Sequence, residues 1–90
     1  MPYQDLEFRG INIKHLGMYF EELGANQVTD SFPYIYKASD WSGEIINEEE
    51  IFFTASFKVN AVQVRFHAED ENTLVELIKN YRYKTTRIGG

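Results

Sequence analysis

Residues 4–9, QDLEFR, alternate: Leu6 and Phe8 point one way and Glu7 and Arg9 the other, the two-residue period of a half-buried strand. Gly10 and Asn12 interrupt that pattern, and the period then lengthens. Ile13, Leu16, Phe20 and Leu23 recur at helical spacing and predict one apolar stripe on a helix over about residues 13–23. Asn12 is placed to accept from the first free N–H groups, and Gly24 supplies a left-handed stop. Gly17, inside that helix, costs about 1 kcal/mol against alanine. Its presence predicts close packing of the helix on a sheet.

The middle of the chain reads as strands. FPYIYKA (32–38) sets Phe32, Tyr34 and Tyr36 on one face and Ile35 and Lys37 on the other. WSGEII (41–46) follows a turn at Ser39-Asp40 and carries Gly43, which predicts a bulge. The polar run Asn47 to Glu50 predicts a hairpin tip. IFFTASF (51–57) then predicts a strand with Ile51, Phe53, Ala55 and Phe57 together, and Asn60 a turn before Val62, Val64 and Phe66, which face in, and Gln63, Arg65 and His67, which face out. EDENTLVELIKNYRY (69–83) opens with acids, has Thr73 and Glu76 at capping-box spacing and ends in cations, as a helix dipole prefers. Leu74, Leu77, Ile78 and Tyr81 form its apolar stripe. The expected fold is α+β in the order β-α-β-β-β-β-α: a single antiparallel five-stranded sheet with two helices on one face, forming one domain over residues 1–90.

Composition sharpens this picture in three places. Of the 90 residues, 16% are aromatic (seven Phe, six Tyr, one Trp), which suits a thin two-layer fold because large rings bury more area per position. No cysteine is present, which excludes disulfides, thiol catalysis and cysteine-based metal sites and is compatible with a reducing cytoplasm. The net charge of −5 is uneven: from Lys79 onward there are four cations and no acid, while the remaining residues carry five cations against fourteen acids. An acidic body repels phosphate backbones, so no nucleic-acid partner is expected. No apolar run approaches the ~20 residues of a membrane span.

Candidate chemistry is sparse. No phosphate-binding glycine loop, nucleophile elbow or HExxH stands in the chain, so no catalytic residue is assigned and neither cofactor nor metal is expected. The alternative is a small-ligand or metal site at His67, Glu69 and Asp70; His15 sits apart from it. Glu48-Glu49-Glu50 reads as a solvated loop. Glu21-Glu22, in the last turn of the first helix, opposes the dipole and asks for a basic neighbour. Tyr3, Phe32, Tyr34, Tyr36, Trp41, Phe52, Tyr81 and Tyr83 exceed what one sheet face must bury. Ile35 and Phe52, on a sheet face without helices, together with Trp41 and Tyr83, are therefore the expected binding residues for a protein partner or a second copy in a homodimer, with the surface of the first helix as the other expected contact.

The chain closes on RYKTTRIGG, and Gly89-Gly90 meets the steric demand of a carrier whose terminal carboxylate is activated by an adenylating enzyme. A strand followed directly by a helix differs from such carriers, which open with a hairpin. HLGMYFEELG (15–24) and TLVELIKNYRYKTTRIGG (73–90) resemble the carboxy-terminal domain family of proteins related to MoaD, the molybdopterin-synthase sulfur carrier. The resemblance implies a fold similar to one half of a TATA-binding protein and an accessory or uncharacterised role with no catalytic residues to carry over. The polar amino terminus, without an apolar leader region, adds the expectation of a cytoplasmic protein.

Overall fold

A computed structural model describes residues 1–89. Its elements are β1 (Tyr3–Arg9), α1 (Ile13–Glu22), β2 (Asn26–Gln27), β3 (Tyr34–Lys37), β4 (Trp41–Thr54), β5 (Phe57–Ala68) and α2 (Glu71–Gly89). The five strands form one antiparallel sheet in the spatial order β1-β5-β4-β3-β2. Fold class and element order are those expected, but the strands are not all the same ones. The two segments read as separate strands at 41–46 and 51–57 belong, up to Thr54, to one continuous β4, and the two-residue β2 at the sheet edge supplies the missing strand.

Both helices lie on one face. Leu16, Tyr19 and Phe20 of α1 and Leu74, Leu77 and Tyr81 of α2 join Phe8, Tyr36, Ile45, Val62, Val64 and Phe66 of the sheet in one buried cluster. The ends of α1 are those the sequence predicts: Asn12 Oδ1 accepts from the Lys14 N–H at 2.7 Å, and the chain departs through Gly24 at φ 110°. At α2 the cap is Asp70 rather than Thr73, its carboxylate accepting from the Thr73 N–H at 2.7 Å. That backbone hydrogen bond, with one from the Thr73 side chain, holds the Asp70 carboxyl below its usual range.

Phe20 sits at the centre of the layer contact. Its ring lies 4.4 Å from that of Tyr81, 5.3 Å from Tyr36, 5.7 Å from Phe66 and 5.9 Å from Trp41, centroid to centroid. The ring rests on β4 at Gly43, where a Cβ would overlap it. Gly43 thus serves close approach; the bulge expected there falls instead between Ile45 and Asn47. Gly17 plays a similar part in α1, opposite the Tyr36 hydroxyl. Tyr81 ties the helices together by donating to the Leu16 carbonyl at 2.6 Å.

The sheet is not of uniform depth. β3 pairs with β4 only over Ser42–Ile45, and β1 pairs with β5 only over Ala61–His67. Beyond the Glu50–Asn60 pair, β4 and β5 continue as a two-stranded arm that turns at Ala55-Ser56. The arm accounts for the elongation of the molecule, 44 × 27 × 21 Å. Asn47 to Glu50, expected as a hairpin tip, are strand residues at its root, and Asn60, expected in a turn, lies within β5.

Gly43→Ala should cost about 2–3 kcal/mol in urea unfolding, because the Phe20 ring is enclosed by four others and cannot yield. Gly17→Ala should cost less, since the Tyr36 hydroxyl is the far end of a side chain and the helix gains propensity. Burial pushes the Tyr81 hydroxyl well above the ordinary tyrosine value of 10.0. A raised native pKa gives stability that is fully present below that value and lost as pH rises through the native one. Tyr81→Phe should therefore lower stability by about 1 kcal/mol at neutral pH and weaken the alkaline loss, read as thermal midpoints across pH 8–11.

Candidate functional site

The face of the sheet without helices is a lattice of polar side chains. Arg65 donates to both oxygens of Asp5, at 2.7 and 2.9 Å, and its guanidinium lies 5.1 Å from the Tyr3 ring centroid. Glu7 accepts from Arg9 at 2.6 Å and from Gln63 at 2.7 Å, and His67 Nε2 meets Glu44 Oε1 at 3.0 Å. The hydrogen bonds from Arg65 hold the Asp5 carboxyl below its usual range. Over the five-stranded part of the sheet this face presents paired charges, with the exposed Tyr3 ring among them and Ile35 half-buried at its edge beside Glu44. His67 pairs with Glu44 rather than with Glu69 or Asp70, and Asp70 is committed to the α2 cap. Among the described residues, no three histidine, cysteine, aspartate or glutamate side chains converge to hold a metal.

The exposed rings are on the arm instead. Phe52, Phe53 and Phe57 are 65%, 55% and 56% exposed. Strand register sorts them. Ile51 lies opposite Val59, and Phe57 two positions along β5 shares that face. A register shift between Phe52 and Thr54 leaves Phe53 as the extra residue, and its ring packs 5.6 Å from that of Phe57. Glu49, two positions from Ile51, begins the same face. The opposite face carries Phe52 and Lys58, whose ammonium is 5.9 Å from the Phe52 ring and 3.1 Å from the Glu50 carboxylate. The arm is thus an amphipathic ribbon: Ile51, Phe53, Phe57 and Val59 on one side and an ion-paired side opposite, with neither helix across the apolar side.

The expected binding residues do not converge. Phe52 is on the arm, on its ion-paired side. Trp41, at the other end of β4, is partly buried against Phe20 and walls an open cleft of about 460 Å³ with Asp40, Asn72, Thr73, Glu76 and Asn80. Tyr83 stands on the outer surface of α2. Gly89 is the last helical residue, and Gly90 lies outside the described residues. Phe53 and Phe57 were missed as site residues. The signal was present in FFTASF, three phenylalanines around a small polar centre, which is hairpin chemistry once both halves are read as strands.

No helix among the described residues is long and apolar enough to cross a membrane. Fold and surface together define a small α+β domain that carries a projecting amphipathic arm. Residues 4–90 match the family model of the archaeal MoaD-like protein, and the chain belongs to that family. Comparison with curated proteins gives no match.

If the arm rings are held in reserve for contact, removing them should cost the fold little. Phe53→Ser and Phe57→Ser should each shift unfolding by no more than about 0.5 kcal/mol. Phe66→Ala in the core should cost about 3–5 kcal/mol by the same denaturant titration.

Proposed function

We propose that this chain is a non-catalytic cytoplasmic binding module that serves sulfur-carrier or molybdopterin metabolism and makes its contacts through the β4–β5 arm. Membership of the archaeal MoaD-like family supports the metabolic setting. The carrying observation for the contact surface is the arm itself, with three phenylalanines more than half exposed on a ribbon that has no third strand beyond Glu50 and Asn60. Isolated two-stranded ribbons are marginal in water. Three exposed rings at the end of one are a feature that contact with another protein would use, and phenylalanine is among the residues enriched at interface cores.

A second reading makes the chain a carrier in its own right, acting through Gly90. The family match includes Gly89-Gly90, the residues on which that reading rests. Against it stands α2, which continues to Gly89 and keeps the backbone before the terminus in helical form, where an adenylating enzyme would need an extended thread.

One experiment separates the readings. The purified chain is titrated calorimetrically with a MoaD-type sulfur carrier and with its adenylating enzyme, then incubated with that enzyme and Mg-ATP and weighed by mass spectrometry. The binding-module reading expects saturable binding to one of the two proteins, weakened about tenfold or more by Phe53→Ser/Phe57→Ser, and unchanged by Arg65→Ala on the ion-paired face. It also expects no adenylate or thiocarboxylate on Gly90. Absence of binding to both proteins counts against the module, and a modified Gly90 establishes the carrier.

A further inference from the structure

Granting that the arm is the contact surface, we propose that the occupant of its apolar face in the free protein is a second copy of this chain, each arm lying across the outer surface of the partner's α2.

The contact face of the arm begins with Glu49 and continues through Ile51, Phe53, Phe57 and Val59, while Glu48 and Glu50 lie on the opposite face. The outer surface of α2 offers the complement. Val75, Lys79, Arg82 and Tyr83 recur at helical spacing and are all exposed, Val75 at 59% and Tyr83 at 64%. Lys79 and Arg82 belong to the segment that carries four of the nine cations and no acid. Their aliphatic stems and the Tyr83 ring accept phenylalanine faces, while a charged end meets Glu49.

Position closes the assembly. α2 starts beyond the far end of β5 and runs back along it. By Tyr81 it has reached Phe8, ring to ring at 5.5 Å, and Phe8 lies opposite Val62, two residues from the root of the arm at Asn60. The basic turns of α2 and the arm therefore sit at the same end of the molecule. A two-fold axis at that end brings each arm to the other copy's α2 at once, so the contact is self-complementary and stops at two.

The area is that of a weak, reversible dimer. Phe53 and Phe57 at the exposures given bring roughly 200 Å² per arm. Because each copy both inserts an arm and receives one, each loses about 400 Å² from these rings and their seats on α2, to which Ile51 and Val59 add. The total lies at the low end of specific interfaces, below ~1,200 Å² over both partners.

Sedimentation velocity at tens of micromolar, in about 50 mM salt, tests the proposal. The wild-type chain should run as a dimer. Phe53→Ser/Phe57→Ser and, separately, Lys79→Glu/Arg82→Glu should each halve the mass, with the near-ultraviolet dichroism of the single Trp41, remote from the arm, showing the fold intact. Adding Glu49→Lys to the helix variant should restore the dimer. A monomeric wild-type chain overturns the proposal, as does a dimer that either variant leaves whole or a charge exchange that fails to restore it. Failure here is distinct from failure of the metabolic role: a monomer that still binds the carrier or its enzyme through the arm removes only the dimer, and a dimer that binds neither removes only the role.

Discussion

Everything in this fold converges on the seat of Phe20. One ring of α1 touches Tyr36 of β3, Trp41 of β4, Phe66 of β5 and Tyr81 of α2, and it reaches them because β4 has no side chain at Gly43. A core of large rings gives a short chain substantial buried area, but rings are rigid and need flat seats. Glycine opposite Phe20 and glycine opposite Tyr36 provide two of them. With α1 fixed there, α2 is fixed in turn through Tyr81, whose hydroxyl caps nothing in its own helix and bonds the Leu16 carbonyl of the other. The helix pair therefore covers the sheet only as far as these contacts extend.

Where that cover stops, the rules for reading strands change, and the sequence misleads at that boundary. Over β1 and the second half of β5, alternation is legible because one face is dry: Leu6, Phe8, Val62, Val64 and Phe66 turn inward as their spacing predicts. Past Ile45 no helix lies above β4. A run such as Asn47–Glu50 then has nothing to violate by being a strand, since water reaches both sides and the glutamates find Asn60 and Lys58 on the opposite strand. Polar runs end strands in a covered sheet; in a bare ribbon they do not. The same physics hid the site, because Phe53 and Phe57 look like inward positions of a core strand until the turn at Ala55-Ser56 folds one beside the other.

The carboxy-terminal segment was legible in charge but not in shape. Glu21-Glu22 at the end of α1 asks for a cation, and it arrives from the far end of the chain: Lys84 donates to Glu22 at 2.8 Å. That ion pair and the burial of Thr85, whose hydroxyl bonds the Arg82 carbonyl, keep α2 helical past Tyr83, where the sequence reading ended it. Local periodicity stops at Tyr81, so the extension was not visible from the stripe. It is a tertiary effect, a helix continued because its next turn has a neighbour.

The division of labour between the two bare surfaces follows from desolvation. On the sheet face, Asp5, Glu7, Arg9, Arg65 and Gln63 already satisfy one another. A partner settling there would strip water from charged groups and offer no better hydrogen bonds in return, so that face repels association at no cost to the monomer. The arm has the opposite character. Its rings gain from any dry contact, and the glutamates at its root sit along the one stretch of β4 edge that β3 leaves unpaired. Like charges on an open edge discourage pairing with the same edge of another chain, so adhesion is directed to the face of the ribbon rather than its margin. A surface that attracts through its face and repels along its edge selects a partner with cations set among apolar and aromatic groups, which is a far narrower class than exposed phenylalanine alone would admit.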